Sequence, residues 1–227
     1  MRVLIGCERS GVVRRAFRQR GHDAWSCDLV AADDGSEFHY RQDVRTLIRD
    51  RDRWDLFIVH PDCTYLTSSG LHWNGRIPGR QAKTDAALDF VRELFDAEVE
   101  KMMLENPVGR INTAIRKPDQ IIQPNQFGHD ASKATCLWLR NLPLLVPTLV
   151  IPGKFACTCH PDERWELKEA KGPQYCPYCG KRMKKVWANQ TASGQNKLGP
   201  SPTRAIDRAK TYEGWGEAMA EQWGKVS

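Results

Sequence analysis

Two side chains in the amino-terminal half of the chain, Cys63 and Glu105, have the chemistry to act together on a pyrimidine ring. A thiolate adds to an electron-poor ring carbon such as C6, and a carboxylic acid at N3 stabilises the negative charge that then develops. C5 of the ring becomes nucleophilic and can accept an electrophilic methyl group. The pair therefore predicts methyl transfer through a covalent adduct between enzyme and substrate.

Each of these residues has a simpler interpretation when it is taken alone. A lone cysteine is more often buried and inert, and a glutamate after a strand can cap a helix or lie in a surface turn. Cys63 follows His60-Pro61-Asp62 at the end of an apolar segment and precedes a polar loop, which favours a reactive thiol. Glu105 leaves the apolar segment Met102–Leu104, where partial desolvation favours the protonated carboxyl group.

A turn between two glycines near the amino terminus is a candidate binding site for a second ligand. Gly6 to Gly11, with the sequence GCERSG, follow an apolar segment and precede a segment of helical periodicity. Glycine lets the backbone approach a ligand, and the N–H groups at a helix start bind polar or anionic groups. Asp28 ends the next predicted strand, where a carboxylate can accept hydrogen bonds from a ribose diol. The alternative is an ordinary turn with a solvated aspartate, because the GxGxxG spacing of dinucleotide sites is absent.

Four cysteines in the carboxyl-terminal third of the chain form a candidate metal site. They are Cys157, Cys159, Cys176 and Cys179. The Cys-Pro-x-Cys-Gly spacing of the second pair makes a tight turn that directs both sulfurs towards one ion, and four thiolates complete the tetrahedron that zinc prefers. The first pair has a less standard spacing, and His160 is an alternative to Cys159 as the ligand. Cysteines that bind no metal are the simpler alternative.

The basic residues of the chain include one short run with a possible role. The formal net charge of +6 permits nucleic-acid binding without requiring it. Directly after Cys179 the chain carries Lys181, Arg182, Lys184 and Lys185. Such a run suits contacts with phosphates, and a solvated surface segment is the alternative.

The composition is that of a globular protein in a reducing compartment. The 227 residues are 41% hydrophobic and 27% charged, which is ordinary for a globular protein, and only 17 are glycine and 13 proline, which excludes collagen-like and low-complexity classes. No apolar run reaches the roughly 18–20 residues that span a bilayer, and the amino terminus lacks the apolar core of an export signal. We therefore expect a cytoplasmic protein whose eight cysteines serve as ligands or thiols rather than as disulfides.

Alternating apolar and amphipathic segments position these residues. Predicted strands cover Arg2–Ile5, Ala24–Cys27, Asp55–Val59 and Lys101–Leu104. One predicted helix is capped by Ser10, a second begins at Thr84 or Asp85, and a third covers Tyr212–Trp223. This order predicts an α/β fold with a Rossmann-like, mostly parallel sheet. Parallel sheets bind ligands at the carboxyl ends of their strands, which is where the candidate residues lie.

In these motifs the chain resembles the cytosine-C5 DNA methyltransferases, specifically their short, phage-type branch. VLIGCERSGVVRRAF and GHDAWSCDL resemble the family's cofactor loop and the acid after it, and WDLFIVHPDCTYLTSSG resembles its Pro-Cys nucleophile motif. Glu105-Asn106 matches the family's Glu-Asn motif, and Gln123–Gly128 with Lys133 lies where the family has its base-contacting strand. The resemblance covers about residues 1–150 and 200–227.

The resemblance implies a fold of the class I methyltransferase type and methyl transfer from S-adenosylmethionine to C5 of cytosine in DNA. It implies a catalytic set in which Cys63 is the nucleophile, Glu105 contacts N3, Asn106 orders the loop and Lys133 faces the base. The residues that it implies for the cofactor site are Gly6, Cys7, Glu8, Ser10, Gly11, Asp28, Leu29, Asp43 and Pro61. It further implies DNA as the partner, no membrane association, and a bacterial or phage-infected cytoplasm; protein partners are not implied.

The domain organisation that we expect is a catalytic domain over residues 1–152 and 190–227, interrupted by a small zinc ribbon at 153–189.

Asp62 stands where the family has a second proline, and a carboxylate there disfavours the thiolate. Lys133 stands where the family has arginine, which removes bidentate geometry. The family's large target-recognition region is absent. Two alternatives follow: a catalytically weakened nucleic-acid-binding protein of the same fold, or an enzyme that modifies RNA or a free pyrimidine nucleotide.

Overall fold

The computed structural model describes residues 1–49, 53–166, 172–199, 201, 209 and 211–226. The chain divides into two compact units. The first comprises Met1–Ile122, Ala134–Val146 and Trp215–Ser227, and the second comprises Gln123–Lys133 and Pro147–Gly214. Among the described residues, no helix has both the length and the apolar character needed to cross a membrane.

The first unit is built on a seven-stranded sheet. Its strands are β1 (Arg2–Gly6), β2 (Asp23–Asp28), β3 (His39–Arg41), β4 (Leu56–Val59), β5 (Lys101–Pro107), β6 (Gln120–Ile122) and β7 (Thr135–Arg140). Their order is β3-β2-β1-β4-β5-β7-β6, and β7 alone runs antiparallel to its neighbours. The first five strands follow the Rossmann order. The predicted α/β class with a mostly parallel sheet is thereby confirmed.

The centre of this sheet is apolar on both faces. Val3–Ile5 in β1 and Leu56–Val59 in β4 are completely buried. Continuous apolar segments are typical of parallel strands that are covered by helices on both sides, because neither face contacts water. The two strands are neighbours in the sheet, with Gly6 of β1 paired with Val59 of β4.

Helices follow the strands as the sequence predicts, with different boundaries. They are α1 (Val12–Gln19), α2 (Ser68–Leu71), α3 (Arg80–Phe95), α4 (Arg110–Ala114) and α5 (Glu213–Trp223). The expected start of α3 at Thr84 or Asp85 is wrong, since Gly79 adopts the left-handed conformation, with φ 74°, immediately before Arg80. The last helix is close to its predicted range, and it buries Trp215, Met219 and Trp223.

Strand β5 extends beyond its predicted end. The sequence suggests that Glu105-Asn106-Pro107 terminates the strand, but the strand continues through all three residues. The reason is pairing with β7, in which Glu105 lies opposite Leu137 and Asn106 lies opposite Cys136. Glu105 and Asn106 are therefore held by the sheet rather than by a loop.

The second unit contains a small antiparallel sheet in the order β10-β8-β9. The strands are β8 (Lys154–Cys157), β9 (His160–Trp165) and β10 (Lys184–Val186). Among the described residues, two small buried clusters lie at this sheet: one contains Ala156, Val186 and Ala192, and another contains Cys157, Cys176 and Met183. Clusters of this size contribute little stabilisation by burial alone, and small units of this kind commonly depend on a metal or a disulfide.

Candidate functional site

The register between β4 and β5 brings the two predicted catalytic motifs side by side. Val59 pairs with Leu104, the last pair of the ladder, so the chain that leaves β4 faces Glu105 and Asn106. The Nδ2 group of Asn106 donates a hydrogen bond of 2.8 Å to the carbonyl oxygen of Pro61, and the Asn106 side chain is buried. The predicted proximity of the Pro-Cys and Glu-Asn motifs thus has a direct structural basis.

His60 makes a second contact between the same strands. Its Nδ1 lies 3.1 Å from Oε2 of Glu105. The imidazole is 10% exposed and the Glu105 side chain 13% exposed. Sequence analysis gives His60 no role of its own, because the contact depends on a partner 45 residues away.

Cys63 lies at the start of a turn that follows β4. Its carbonyl oxygen accepts hydrogen bonds of 3.0 Å from the backbone N–H groups of Leu66 and Thr67. The neighbouring carboxylate of Asp62 accepts hydrogen bonds from Thr64, at 3.0 Å from its backbone N–H and 2.7 Å from its hydroxyl. The acid that the sequence places beside the thiol is therefore bound within its own loop.

A glycine that the sequence does not single out brings the two catalytic segments together. Gly109 follows β5 and bridges to Thr67 in antiparallel fashion. A Cβ atom at Gly109 would lie 2.0 Å from the carbonyl oxygen of Leu66. That oxygen accepts a 2.6 Å hydrogen bond from the backbone N–H of Arg110. The segment after Cys63 can approach the segment after Glu105 this closely only because residue 109 has no side chain.

The other cysteines of the first unit have environments unlike that of a nucleophile. Cys27 and Cys136 are completely buried. Burial raises the pKa of Cys27 to about 11 and also raises the pKa of Cys136. Burial, reinforced by the charge of Asp28, raises the pKa of Cys7 as well. These thiols are neutral near pH 7, which leaves Cys63 as the candidate thiol of this unit.

The turn between β1 and α1 uses one of its predicted ligand-binding residues internally. The buried carboxylate of Glu8 accepts a 2.7 Å hydrogen bond from the Val13 N–H and a 3.3 Å hydrogen bond from the Arg14 N–H. Burial raises the pKa of Glu8, and these contacts oppose that effect. The predicted cap by Ser10 is met only in part: the residue before α1 is Gly11, and Ser10 Oγ accepts a long hydrogen bond of 3.5 Å from the Val12 N–H. The next two N–H groups of the helix are bound by Glu8.

Gly11 is required at the start of α1 for two reasons. Its φ of 68° lies in the left-handed region that side chains disfavour. A Cβ atom there would also lie 2.3 Å from Nη2 of Arg14. Arg14 is itself buried, and its Nη1 donates a 2.7 Å hydrogen bond to Ser26. The buried Arg14 side chain therefore packs directly against the backbone of this turn.

Asp28 and Asp43, the two aspartates that the resemblance implies for the cofactor site, differ in how many of their carboxylate oxygens are bound by protein groups. Hydrogen bonds from Arg45 lower the pKa of Asp43 and hold both of its carboxylate oxygens. Asp28 accepts a 3.1 Å hydrogen bond from the N–H of Val30 through one oxygen. Beside it, Leu29 is 71% exposed and Val30 is 43% exposed. The end of β2 thus presents a carboxylate next to accessible apolar surface.

Lys133 belongs to the second unit rather than to a strand of the sheet. Its backbone N–H donates a 2.9 Å hydrogen bond to Oε1 of Gln123. The predicted base-contacting segment contains a 3₁₀ helix over Pro124–Gln126, and β7 begins only at Thr135. The structure therefore gives this segment a loop and 3₁₀ conformation instead of the predicted strand.

The second unit brings together four potential metal ligands. Ligand atoms of Cys157, His160, Cys176 and Cys179 all lie within 4.8 Å of one another. The two sulfurs of Cys157 and Cys179 are 3.6 Å apart, and Cys176 Sγ lies 3.4 Å from His160 Nδ1. Tetrahedral zinc sites with ordinary bond lengths space their ligand atoms by about 3.3–3.8 Å. We name these four residues the Cys/His cluster.

The hairpin between β8 and β9 explains why histidine joins this group. Cys157 pairs with His160 across the hairpin, so Cys159 falls in the connecting turn and is exposed. The backbone N–H of Cys159 points to Cys157 Sγ at 3.4 Å. The set that contains His160 has its four ligand atoms within 4.8 Å of one another. The side chain of Cys159 also lies within hydrogen-bond distance of Cys157 and Cys179.

An exposed basic and aromatic surface adjoins the Cys/His cluster. Tyr175 and Tyr178 are 59% and 65% exposed, and the ring of Tyr178 lies against His160 with centroids 5.0 Å apart. Tyr175 bridges to Arg182 in antiparallel fashion. The segment 172–186 contains no acidic residue. We name the exposed side chains Tyr175, Tyr178, Lys181, Arg182, Lys184 and Lys185 the basic surface.

A cavity of about 770 Å³ lies at the opposite end of the sheet, at the amino ends of β1 and β5. Its lining includes Arg2 and Asp55, which form an ion pair with a 2.8 Å contact. None of the predicted catalytic or cofactor residues lines it. The cavity is therefore separate from the candidate site.

Comparison with known proteins gives only distant structural similarity. No protein-family model and no curated protein matches the chain. A structure described as a DNA modification methyltransferase encoded within a prophage of E. coli is similar with a TM-score of 0.46 and 12% identity, covering 67% of this chain and 52% of that one. The Dnmt2 methyltransferase of S. pombe is similar with a TM-score of 0.41 and 17% identity, covering 61% and 48%. The chain spans about half the length of each structure.

Proposed function

We propose that the chain is a methyltransferase that transfers the methyl group of S-adenosylmethionine to C5 of cytosine in DNA through a covalent adduct at Cys63. One observation carries this proposal. The Pro61–Cys63 turn and Glu105-Asn106 meet at the carboxyl ends of adjacent strands, joined by the hydrogen bond from Asn106 to Pro61. This is where open α/β sheets bind their ligands.

The proposed reaction begins when the thiolate of Cys63 forms a bond to C6 of the cytosine ring. Electrons of the C5–C6 double bond move towards C5 and N3, and the carboxyl group of Glu105 stabilises the charge at N3. C5 then attacks the methyl carbon as the bond from that carbon to the donor sulfur breaks. A solvent base removes the C5 proton, the double bond re-forms, and the sulfur of Cys63 leaves.

S-adenosylmethionine would supply the electrophilic methyl group. The end of β2 fits its adenosine part, because the Asp28 carboxylate lies beside the exposed Leu29 side chain. Backbone groups of Gly6–Gly11, including those of Cys7 and Ser10, and the backbone of Pro61 line the adjacent strand ends in this proposal. Glu8 and Asp43 would contribute indirectly, since their carboxylates are bound within the protein.

Zinc is the metal that fits the Cys/His cluster. Three thiols and one imidazole are ligands that zinc prefers, and the separations of 3.6 Å between Cys157 and Cys179 and of 3.4 Å between Cys176 and His160 suit a four-coordinate tetrahedral site. Such a site is structural. In this proposal the ion compensates for the small apolar clusters of the second unit.

DNA is the substrate that we propose, and the basic surface is the element that would hold it. Its four cationic side chains can contact phosphates, and its two exposed tyrosines can stack on unpaired bases.

The test is methyl transfer from labelled S-adenosylmethionine to DNA by the wild-type chain and by Cys63→Ala. We expect activity in the wild type, none in Cys63→Ala, and near wild-type activity in Cys159→Ser as a matched control. DNA that carries 5-fluorocytosine should trap a covalent complex with the wild type alone, because fluorine at C5 leaves no proton to remove. Undiminished transfer by Cys63→Ala would contradict the mechanism.

The same experiments separate the alternatives. Asp62 favours a catalytically weakened DNA-binding protein, since a carboxylate adjoins the nucleophile. That alternative predicts DNA binding without a calorimetric signal for S-adenosylmethionine. An RNA or nucleotide substrate would instead appear as a methylated base in mass spectra of RNA or of free nucleotides from cells that express the chain.

A further inference from the structure

His60 is fixed to the strands on both of its sides. Its backbone N–H donates a 3.0 Å hydrogen bond to the carbonyl oxygen of Gly6, at the end of β1. Its Nδ1 lies 3.1 Å from Oε2 of Glu105, in β5. The imidazole is nine-tenths buried. Few orientations of the ring are compatible with these contacts.

The hydrogen-bond pattern of the ring favours one tautomer. Within the described part of the chain, Nε2 of His60 is buried and has no hydrogen-bond partner. A buried N–H without an acceptor is rarer in proteins than a buried acceptor without a donor. The neutral ring with its proton on Nδ1 satisfies this preference, because that proton is then donated to Glu105 Oε2.

A contribution to stability alone does not account for this pair. Buried pairs of polar or ionic side chains gain little net stability, since the desolvation of both groups opposes their attraction. Apolar residues of similar volume at both positions 60 and 105 would pack without that penalty. The nearby acid Glu8 already accepts two backbone hydrogen bonds from α1. Glu105 rather than Glu8 is therefore the carboxyl group with which the imidazole forms its hydrogen bond.

We propose that His60 is the positioning residue of Glu105: its Nδ1–H holds one carboxyl oxygen and so fixes the orientation of the group towards the pyrimidine ring. The inference rests on the proposed function, in which Glu105 acts at N3 of the base. Alignment of a catalytic group within a fraction of an ångström strongly affects rate. Without the imidazole, the Glu105 carboxyl group would lose the hydrogen bond that sets this orientation.

The test compares His60→Leu with His60→Asn in the full-length chain. Leucine fills the space without a donor, whereas asparagine places an amide N–H near the position of Nδ1. We expect His60→Leu to lower kcat about 10- to 100-fold with the KM for DNA within about twofold. We expect His60→Asn to recover kcat to within about fivefold of the wild type. His22→Leu, before the amino end of β2, is the matched control and should leave kcat unchanged.

Two further measurements separate positioning from a merely structural role. The double variant His60→Leu/Glu105→Gln should be no slower than Glu105→Gln alone, because the two groups act as one unit. ¹⁵N NMR of the histidine side chains should show the His60 proton on Nδ1, a readout that does not need activity. An unchanged kcat in His60→Leu, additive losses in the double variant, or a proton on Nε2 would overturn the inference. A wild type that lacks methyl transfer would instead contradict the proposed function.

Discussion

The side chain of Asn106 donates a hydrogen bond to the backbone carbonyl of Pro61, and this bond joins β5 to the turn that carries Cys63. Pro61 and Asn106 are 45 residues apart in the chain and are both buried. A carbonyl oxygen in such a place has no access to water if the donor is removed. The relationship therefore makes Asn106 important both for stability and for the geometry of the site.

Replacement of Asn106 by alanine should destabilise the protein and slow methyl transfer. The buried Pro61 carbonyl would lose its donor, so we expect the free energy of unfolding to fall by about 1–3 kcal/mol. Urea denaturation measures this change. Gln222→Ala is the matched control: Gln222 donates to the carbonyl of Val146 over 2.9 Å in an exposed position, where water can replace it. Equal losses in the two variants would contradict the assignment.

Gly109→Ala should separate the two catalytic segments while the sheet stays folded. The new Cβ atom would overlap the Leu66 carbonyl oxygen, and the clash is with backbone that cannot rotate away. We expect methyl transfer to fall at least about 10-fold, with a change in far-ultraviolet circular dichroism too small to detect. Gly75→Ala, which has open space around it, should keep its activity. Full activity in Gly109→Ala would show that the close approach of the segments is dispensable.

The metal content should follow the Cys/His cluster. Elemental analysis should find about one zinc ion per chain in the wild type and in Cys159→Ser, and far less in His160→Ala. Removal of the ion by a chelator should lower the midpoint of thermal unfolding, because metal binding and folding are coupled in small units. Zinc retained by His160→Ala but lost by Cys159→Ser would show that the all-cysteine set is the correct one.

Lys185→Glu should weaken DNA binding in a salt-dependent way. Loss of one phosphate contact is expected to reduce the slope of log K against log salt concentration by about 0.9. Fluorescence anisotropy with duplex and single-stranded DNA measures both the affinity and the slope. Lys225→Glu changes the net charge equally at an exposed position in the first unit and should leave the slope unchanged. Identical slopes for the two variants would exclude the basic surface as a DNA contact.

Asp34 should give acid-dependent stability to the first unit. Burial opposes its ionisation, but hydrogen bonds from Arg14 and Arg15 lower its pKa to about 2. A lowered pKa stabilises the fold above the unfolded value of about 3.9, and the contribution is lost as the pH falls through the folded value of about 2. At pH 7 we expect Asp34→Asn to lose about 1 kcal/mol after solvent screening, and we expect a much smaller loss at pH 2.

Urea denaturation at several pH values tests this dependence. Asp89→Asn is the control, because Asp89 is 69% exposed in its ion pair with Arg92 and should contribute less than about 0.5 kcal/mol. A difference between Asp34→Asn and the wild type that is as large at pH 2 as at pH 7 would assign the effect to packing rather than to charge.

Local sequence patterns are sufficient for the parts of the fold that depend on local chemistry. Val3–Ile5 and Leu56–Val59 are apolar because central parallel strands are buried on both faces, so their positions are readable from the sequence. Strand β3 has the sequence His39-Tyr40-Arg41, without an apolar pattern. It is a strand because it pairs with β2 in the sheet. The sequence therefore contains no signal for it.

The same distinction applies to the candidate site. The spacing of Cys176 and Cys179 is a local feature, and the structure places both side chains in one cluster of potential ligands. Whether Cys159 or His160 joins them depends on the register of the β8–β9 hairpin, which the sequence does not specify. The roles of His60 and Gly109 depend on contacts with residues that are distant in the sequence, Glu105 and Thr67. No periodic pattern in the sequence indicates these contacts.

The internal use of Glu8 has a consequence for the type of ligand that the first turn can select. The N-terminus of a helix ordinarily attracts phosphate, because its N–H groups carry partial positive charge. Here the Glu8 side chain already accepts hydrogen bonds from two of these groups, the N–H groups of Val13 and Arg14. Those two donors are therefore not available to the phosphate of a nucleotide. We expect the turn to bind nucleoside di- and triphosphates poorly, because a residue of the protein takes the place of the phosphate.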